Sequence, residues 1–163
     1  MTTDADITAD FWKHLRADRT EMLGLEDASP TALRPMTAQL DGDEDEGPIW
    51  FFSSTDSALV QGLVKQDLAL FSFVSKGHDV FATVHGHLIR STDRQMIDRL
   101  WNPWVAAWYK GGKDDPMLAL LRFDPARAEI WRDGSGLLAG LSLLFGGDPQ
   151  ANFKDNVAKV SLT

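Results

Sequence analysis

Leu68-Ala69-Leu70-Phe71-Ser72-Phe73-Val74-Ser75, the turn Lys76-Gly77-His78-Asp79, and Val80 through Ser91 (Val-Phe-Ala-Thr-Val-His-Gly-His-Leu-Ile-Arg-Ser) set the fold class. Two runs rich in β-branched and aromatic residues flank a short turn, the pattern of an antiparallel hairpin. The first run is apolar on both faces, and such a strand has to be covered on both sides.

Working outward, Ile49-Trp50-Phe51-Phe52-Ser53 reads as another strand apolar on both faces. The acidic run Asp41 to Pro48 before it fits the tip of a second hairpin. Ala32 to Leu40 forms the other arm, with Arg34 and Met36 on one face. Pro35 cannot donate a ladder hydrogen bond, so this arm has an edge, a bulge or a ligand there. Met22 to Leu25 is a short apolar run, followed by a turn at Glu26 to Pro30. Downstream, Leu118 to Phe123 and Ala128 to Asp133 read as two strands about Asp124-Pro125. Gly134-Ser135-Gly136 then turns the chain, and Val157 to Leu162 is a last strand.

Helices fall between these strands. Phe11, Trp12 and Leu15 have helical spacing within Thr8 to Asp18, and Leu59, Val60, Leu63 and Val64 form one stripe within Asp56 to Gln66. Thr92 or Asp93 can cap a helix with stripe Met96, Ile97, Leu100 and Trp101. Asn102-Pro103 reads as a cap with Pro at the first helical position, opening a short helix through Trp108. Tyr109 to Pro116 is a polar, glycine-rich loop. Six or seven strands with three or four short helices, interleaved as strand pairs, favour a mainly β (α+β), mostly antiparallel barrel with helices at its rims. Its 163 residues and the lack of a linker or repeat predict one domain over 1–163, with a polar tail from about Gly146.

Composition narrows the function classes. At 44% hydrophobic and 25% charged, the chain is neither disordered, collagen-like nor a coiled-coil rod. The apolar stretch Leu137 to Phe145 has nine residues, well short of the roughly 20 that a spanning helix needs. The N-terminus lacks the basic and apolar parts of a secretory signal. Cysteine is absent, which excludes disulfides, cysteine nucleophiles and thiolate metal sites and agrees with the cytoplasm. Five of the eight net negative charges lie in Asp41, Asp43, Glu44, Asp45 and Glu46. There is no basic stripe, so no nucleic-acid partner is expected, and no membrane partner either. No Walker loop, GxGxxG, GxSxG or HExxH is present.

Three features could carry chemistry. His85 and His87 would share one strand face, as two metal ligands require. They also fit two ordinary histidines beside Gly86, with no third ligand in view, and no metal is assigned. Trp101, Trp104 and Trp108 fit a core, a planar-ligand wall or a subunit interface. Ser53-Ser54-Thr55 before a helix fits capping, or a phosphate site to which Arg34 could add a bidentate charge.

Arg34-Pro35-Met36-Thr37, followed after the acidic hairpin by Ile49-Trp50-Phe51-Phe52-Ser53-Ser54, resembles the pyridoxamine 5'-phosphate oxidase-like flavin-binding split barrels. Leu100-Trp101-Asn102-Pro103-Trp104, Gly111-Gly112-Lys113-Asp114-Asp115-Pro116 and Ala128-Glu129-Ile130-Trp131 resemble the bacterial general stress protein branch of that family. The likeness covers roughly residues 8 to 160. It implies a six-stranded antiparallel split barrel with short flanking helices, forming a homodimer with FMN (FAD as the alternative) in two clefts at the interface. By the same resemblance, Arg34, Pro35, Met36 and Thr37 would line the flavin ring and phosphate side. Trp50, Phe51, Phe52, Ser53, Ser54 and Thr55 would follow the ribityl chain and phosphate, and Trp104 and Trp108 would approach a flavin from the partner chain. Relatives often carry a lysine early in the next helix. Here that place reads Asp56-Ser57-Ala58, and the first lysine, Lys65, lies farther along. The C-terminus lacks the basic motif of the true oxidases, so oxidation of pyridoxamine phosphate is not expected. The resemblance leaves three readings in view: an FMN-dependent oxidoreductase of a small molecule, a non-catalytic flavin-binding stress protein (carrier, buffer or sensor), or a split-barrel dimer that has lost its flavin, to which the Asp56-Ser57-Ala58 departure and the acidic charge point.

Overall fold

The computed structural model describes residues 2–26, 32–64, 67–133 and 156–163. Helix α1 (Asp4–Ala17) leads into β1 (Thr20–Leu25), β2 (Arg34–Thr37), β3 (Ile49–Ser54) and a one-turn α2 (Ala58–Gly62). Then come β4 (Leu68–Val74), β5 (Val80–Ser91), α3 (Arg94–Leu100), α4 (Pro103–Ala106), β6 (Leu118–Arg132) and β7 (Val157–Ser161). All pairings are antiparallel. Six strands run in the order β2-β1-β4-β5-β6-β3, and β7 pairs β6 off this path. Gln39 and Trp50 exchange backbone hydrogen bonds of 2.7 and 2.9 Å, which bring the segment after β2 onto β3 and join the ends of the path. The expected barrel and its 68–91 hairpin are present.

The barrel is filled by the period-two alternation of its strands. Leu23, Phe51, Phe71, Val84, Leu88, Leu121 and Phe123 point inward and are fully buried. Ile7, Phe11, Trp12 and Leu15 of α1 join this core, and Phe11 meets Trp12 and Phe73 edge-on. Thr3 and Asp6 cap α1 reciprocally. A second cluster lies outside the barrel wall, where Ile97 and Leu100 of α3 cover Trp50, Leu118 and Leu120.

Several boundaries differ from the sequence reading. Met22 to Leu25, read only as an apolar run, lies within β1, which sits between β2 and β4. The 32–40 arm shortens to Arg34–Thr37, because Pro35 sits on an edge strand paired only with β1. The Asp56–Gln66 helix shortens to Ala58–Gly62. The two strands expected about Asp124-Pro125 are one 15-residue strand. There β6 takes an irregular step opposite His85 and Gly86. On its other edge β3 pairs residues 118–123 and β7 pairs 127–131. Pro125 falls in the gap on that edge and is the register partner of Gly86 on the other. The Asp27–Pro30 part of the turn, Lys65 and Gln66, the Gly134–Gly136 turn and most of the polar tail lie outside the described residues.

Candidate functional site

Between the edge strand β2, the end of β3 and the segment from α4 to β6 lies a cleft of about 720 Å3. Arg34, Pro35, Met36 and Thr37 line it from β2, and Phe52, Ser53 and Ser54 line it from β3. Trp104, Val105 and Trp108 close the opposite side. Most residues singled out from the sequence thus meet in one place, although they come from three separate stretches.

Three described ones do not line it. Phe51 points into the barrel and is fully buried. Trp50 packs under α3, with its indole N–H unpartnered among the described residues. Thr55 turns away, its backbone N–H donating to Met117 O at 2.9 Å and its hydroxyl meeting Met117 Sδ at 3.6 Å. Lys65 lies outside the described residues.

Local chemistry explains each wall. Asn102 Oδ1 accepts from the N–H groups of Trp104 and Val105 at 3.0 and 3.1 Å, and Pro103 starts the turn. This cap holds Trp104 and Trp108, four positions apart, at the cleft, where they are 81% and 85% exposed. An indole normally buries 150–250 Å2 or so, so two open ones mark a surface built to be covered. The cap of α2 is Ser57, whose Oγ accepts from Val60 N–H at 3.2 Å. Capping therefore does not occupy Ser53 and Ser54. Ser53 Oγ lies 3.2 Å from Ser57 Oγ, and Ser54 remains at the cleft wall. Asp56, the acid beside this segment, is not part of the lining.

Sequence reasoning missed part of the lining. Thr20, Gln39, Lys110, Asp115 and Met117 line the cleft, as does Tyr109, read from the sequence only as the start of the glycine-rich loop. The glycine-rich loop was the available signal. Asp115 accepts from Gly111 and Met117 N–H groups at 3.0 and 2.9 Å, closing the loop on itself. Those bonds, Met117's first, hold its carboxyl below the usual range. Arg94 reaches Lys113 O and Asp114, and Lys113 meets Asp98 at 3.0 Å, which ties the loop to α3.

Tyr109 Oη donates to Ser53 O at 2.7 Å. Burial, aided by Asp115 and opposed by Arg34, pushes the phenol up to about 12. It is a fixed neutral donor at physiological pH. Arg34 and Lys110 have no carboxylate partner among the described residues. Two unpaired cations, several hydroxyls, and Pro35, Met36, Phe52 and two indoles in one cleft suit a planar ligand with an anionic tail.

Fold and cleft define an antiparallel split barrel with a ligand groove at its rim. The chain belongs to the pyridoxamine 5'-phosphate oxidase like family, whose sequence pattern it matches over residues 6–145. It is similar to the general stress FMN/FAD binding protein of Xanthomonas citri, with 54% identity, TM-score 0.76, and 83% of this chain and 95% of that chain covered. A general stress family protein of Xanthomonas campestris pv. campestris is likewise 54% identical, with TM-score 0.77, covering 86% of this chain and 96% of that one. A protein assigned as general stress protein 26 of Jannaschia sp. CCS1 is 32% identical over 99% of both chains, with TM-score 0.77. No curated protein matches. Among the described residues no helix is long and apolar enough to cross a membrane.

Proposed function

We propose that the cleft binds a flavin mononucleotide and that the protein is a cytoplasmic, homodimeric, FMN-dependent oxidoreductase of a small molecule. One observation carries the reading. Arg34, the Ser53 and Ser54 hydroxyls and the open indoles of Trp104 and Trp108 converge on one cleft whose volume suits such a ligand. The Xanthomonas citri relative, described as an FMN/FAD binding protein, supports the same ligand.

The residues present fit the group. Arg34 is the charge that would meet the phosphate, in place of the lysine absent at Asp56-Ser57-Ala58. Ser53 and Ser54 would bond the ribityl and phosphate oxygens, and Pro35, Met36 and Phe52 would pack the ring. Tyr109 fixes the Ser53 backbone through its hydrogen bond. When bound, a flavin supplies the hydride and electron chemistry that side chains lack. The homodimer is supported by apolar side chains left open on the outer face of β4 and β5, among them Val74 and Phe81.

A second reading, a flavin-binding stress protein that carries, buffers or senses without turnover, is favoured by Tyr109. With its phenol near 12 and its proton committed to Ser53 O, it is no acid for a neutral reaction.

The deciding experiment is a fluorescence titration of the purified chain with FMN and with FAD. Saturable quenching is expected. Arg34→Ala should weaken it at least tenfold, since a charged hydrogen bond is worth about 1.5–3 kcal/mol. Absence of saturable binding overturns the flavin reading. Steady consumption of reduced nicotinamide by the loaded protein selects the oxidoreductase, and tight binding without reduction selects the second reading.

A further inference from the structure

His85 and His87 lie on the outer face of β5, away from the cleft. Their side chains are 27% and 50% exposed, with buried Val84 and Leu88 on the opposite face. Each is anchored at one ring nitrogen. His85 Nδ1 bonds Glu26 Oε1, just beyond β1, and His87 Nδ1 lies 3.2 Å from Asp67 Oδ2, just before β4. An ionised carboxylate only accepts, so Nδ1 is the donor in each pair, and a ring in its neutral form keeps its lone pair on Nε2. That tautomer, with a carboxylate behind it, is the usual arrangement of a metal-binding imidazole. Residues i and i+2 of a strand share a face about 7 Å apart along it, within reach of one ion.

The intervening residue fits as well. A Cβ at position 86 would meet Asp124 O at 2.2 Å and the Phe123 ring at 2.9 Å, so the backbone of β6 admits only glycine between the two histidines. The register irregularity falls between His85 and Gly86, and such irregularities re-aim side chains. Across β6, Asp124 is the register partner of His87 and Arg127 that of His85. Asp124 is paired with Arg122 at 3.0 Å. His85 also lines a shallow outer cleft of about 500 Å3, together with Arg127, Glu129 and Lys159. Among the described residues no third histidine or carboxylate completes a metal-binding group, so water would fill the remaining positions.

We propose that His85 and His87, each held at Nδ1 by a carboxylate, form a two-imidazole site for a divalent transition cation of the zinc or copper type. Imidazole ligands suit both ions, and copper binds more tightly. The site is independent of the flavin reading.

The test is titration of metal-stripped, full-length protein with Cu2+, followed by paramagnetic resonance, and with Zn2+, followed by calorimetry. One Cu2+ per chain with two equatorial nitrogens is expected. His87→Gln should leave one nitrogen. Asp67→Asn, which keeps both imidazoles, should lower affinity ten- to a hundredfold. Unchanged binding in the double variant His85→Asn/His87→Gln would place the ion elsewhere, for instance on the 41–46 acidic loop, and overturn the proposal. So would an Asp67→Asn affinity equal to the parent's, or no binding at all. His87 is half-exposed, so its replacement leaves the core intact, and circular dichroism confirms folding in each variant.

Discussion

β3 and β4 carry similar sequences, apolar at successive positions, yet their outer faces end differently. On β3, Trp50 and Phe52 are covered by α3 and Trp101 of the same chain. On β4 and its partner β5, Val74 stays 46% exposed, and Phe81, against which the His78 ring stacks at 6.4 Å, stays 38% exposed. The interior differs too. Behind β3 the inward Ile49 and Phe51 are apolar and the buried Ser53 hydroxyl meets Ser57 Oγ at 3.2 Å, whereas β1, next to β4, buries the carboxyl of Glu21 between Met36 and Phe73 with neither oxygen hydrogen-bonded among the described residues. One side of the barrel has its outer face covered by α3 of the same chain. The other leaves apolar area open outside and an unsatisfied group inside, as a side finished by association would.

The largest effect is expected on the side covered by α3. Leu120 on β6 is 1% exposed beneath α3, so Leu120→Ala should lower the unfolding free energy by about 2–5 kcal/mol in urea. A loss below about 1 kcal/mol would mean that α3 covers β6 only loosely. On the open side, Phe81→Asp should act on association instead. It should raise the dissociation constant of the proposed dimer at least tenfold by sedimentation, a shift of about 1.4 kcal/mol, while the monomer's circular dichroism stays unchanged. An unaltered dimer would move the interface off this face.

Glu21 sharpens the interior half of the contrast. Burial pushes its carboxyl well above the usual range, and the Asp18 charge adds to this. In the folded chain the acid therefore keeps its proton to higher pH than in the unfolded chain. Its contribution is full below the ordinary value of 4.5 and is lost as pH rises through the folded value. Glu21→Gln removes this titration. Its urea midpoint relative to the parent should rise as pH increases above the ordinary value of 4.5 and level off once the folded parent's carboxyl has ionised. A difference that does not change with pH would show that Glu21 ionises freely.

How far the sequence reveals this asymmetry depends on the range of the interactions involved. The 68–91 hairpin and the Asn102-Pro103 start of α4 are local, and both are legible from periodicity and capping. β1 is not legible, because six residues interrupted by Gly24 give too short a pattern. β6 reads as two strands because Pro125 signals a break, and only its flanking strands show why none occurs. The cleft residues were mostly legible through resemblance, but Tyr109 enters by a bond to Ser53, 56 positions away. The histidine anchors likewise come from positions 59 and 20 residues distant. Periodicity carries no information about such pairings.

The smallest effect tests whether the open face is open within one chain. Val74→Thr replaces a methyl group by a hydroxyl on a half-exposed β4 position and keeps the branched Cβ that suits a strand. If nothing in the same chain packs on it, unfolding measured at dilutions where the protein is monomeric should shift by no more than about 0.5 kcal/mol. The same substitution at higher concentration should cost more, because it then removes buried area at the interface, and the gap between the two measurements reports the association alone. A loss above about 1 kcal/mol that does not vary with concentration would instead mean that a stretch of the same chain covers β4. The two sides of the barrel would then be alike, and the case for a dimer through this face would fall with the contrast.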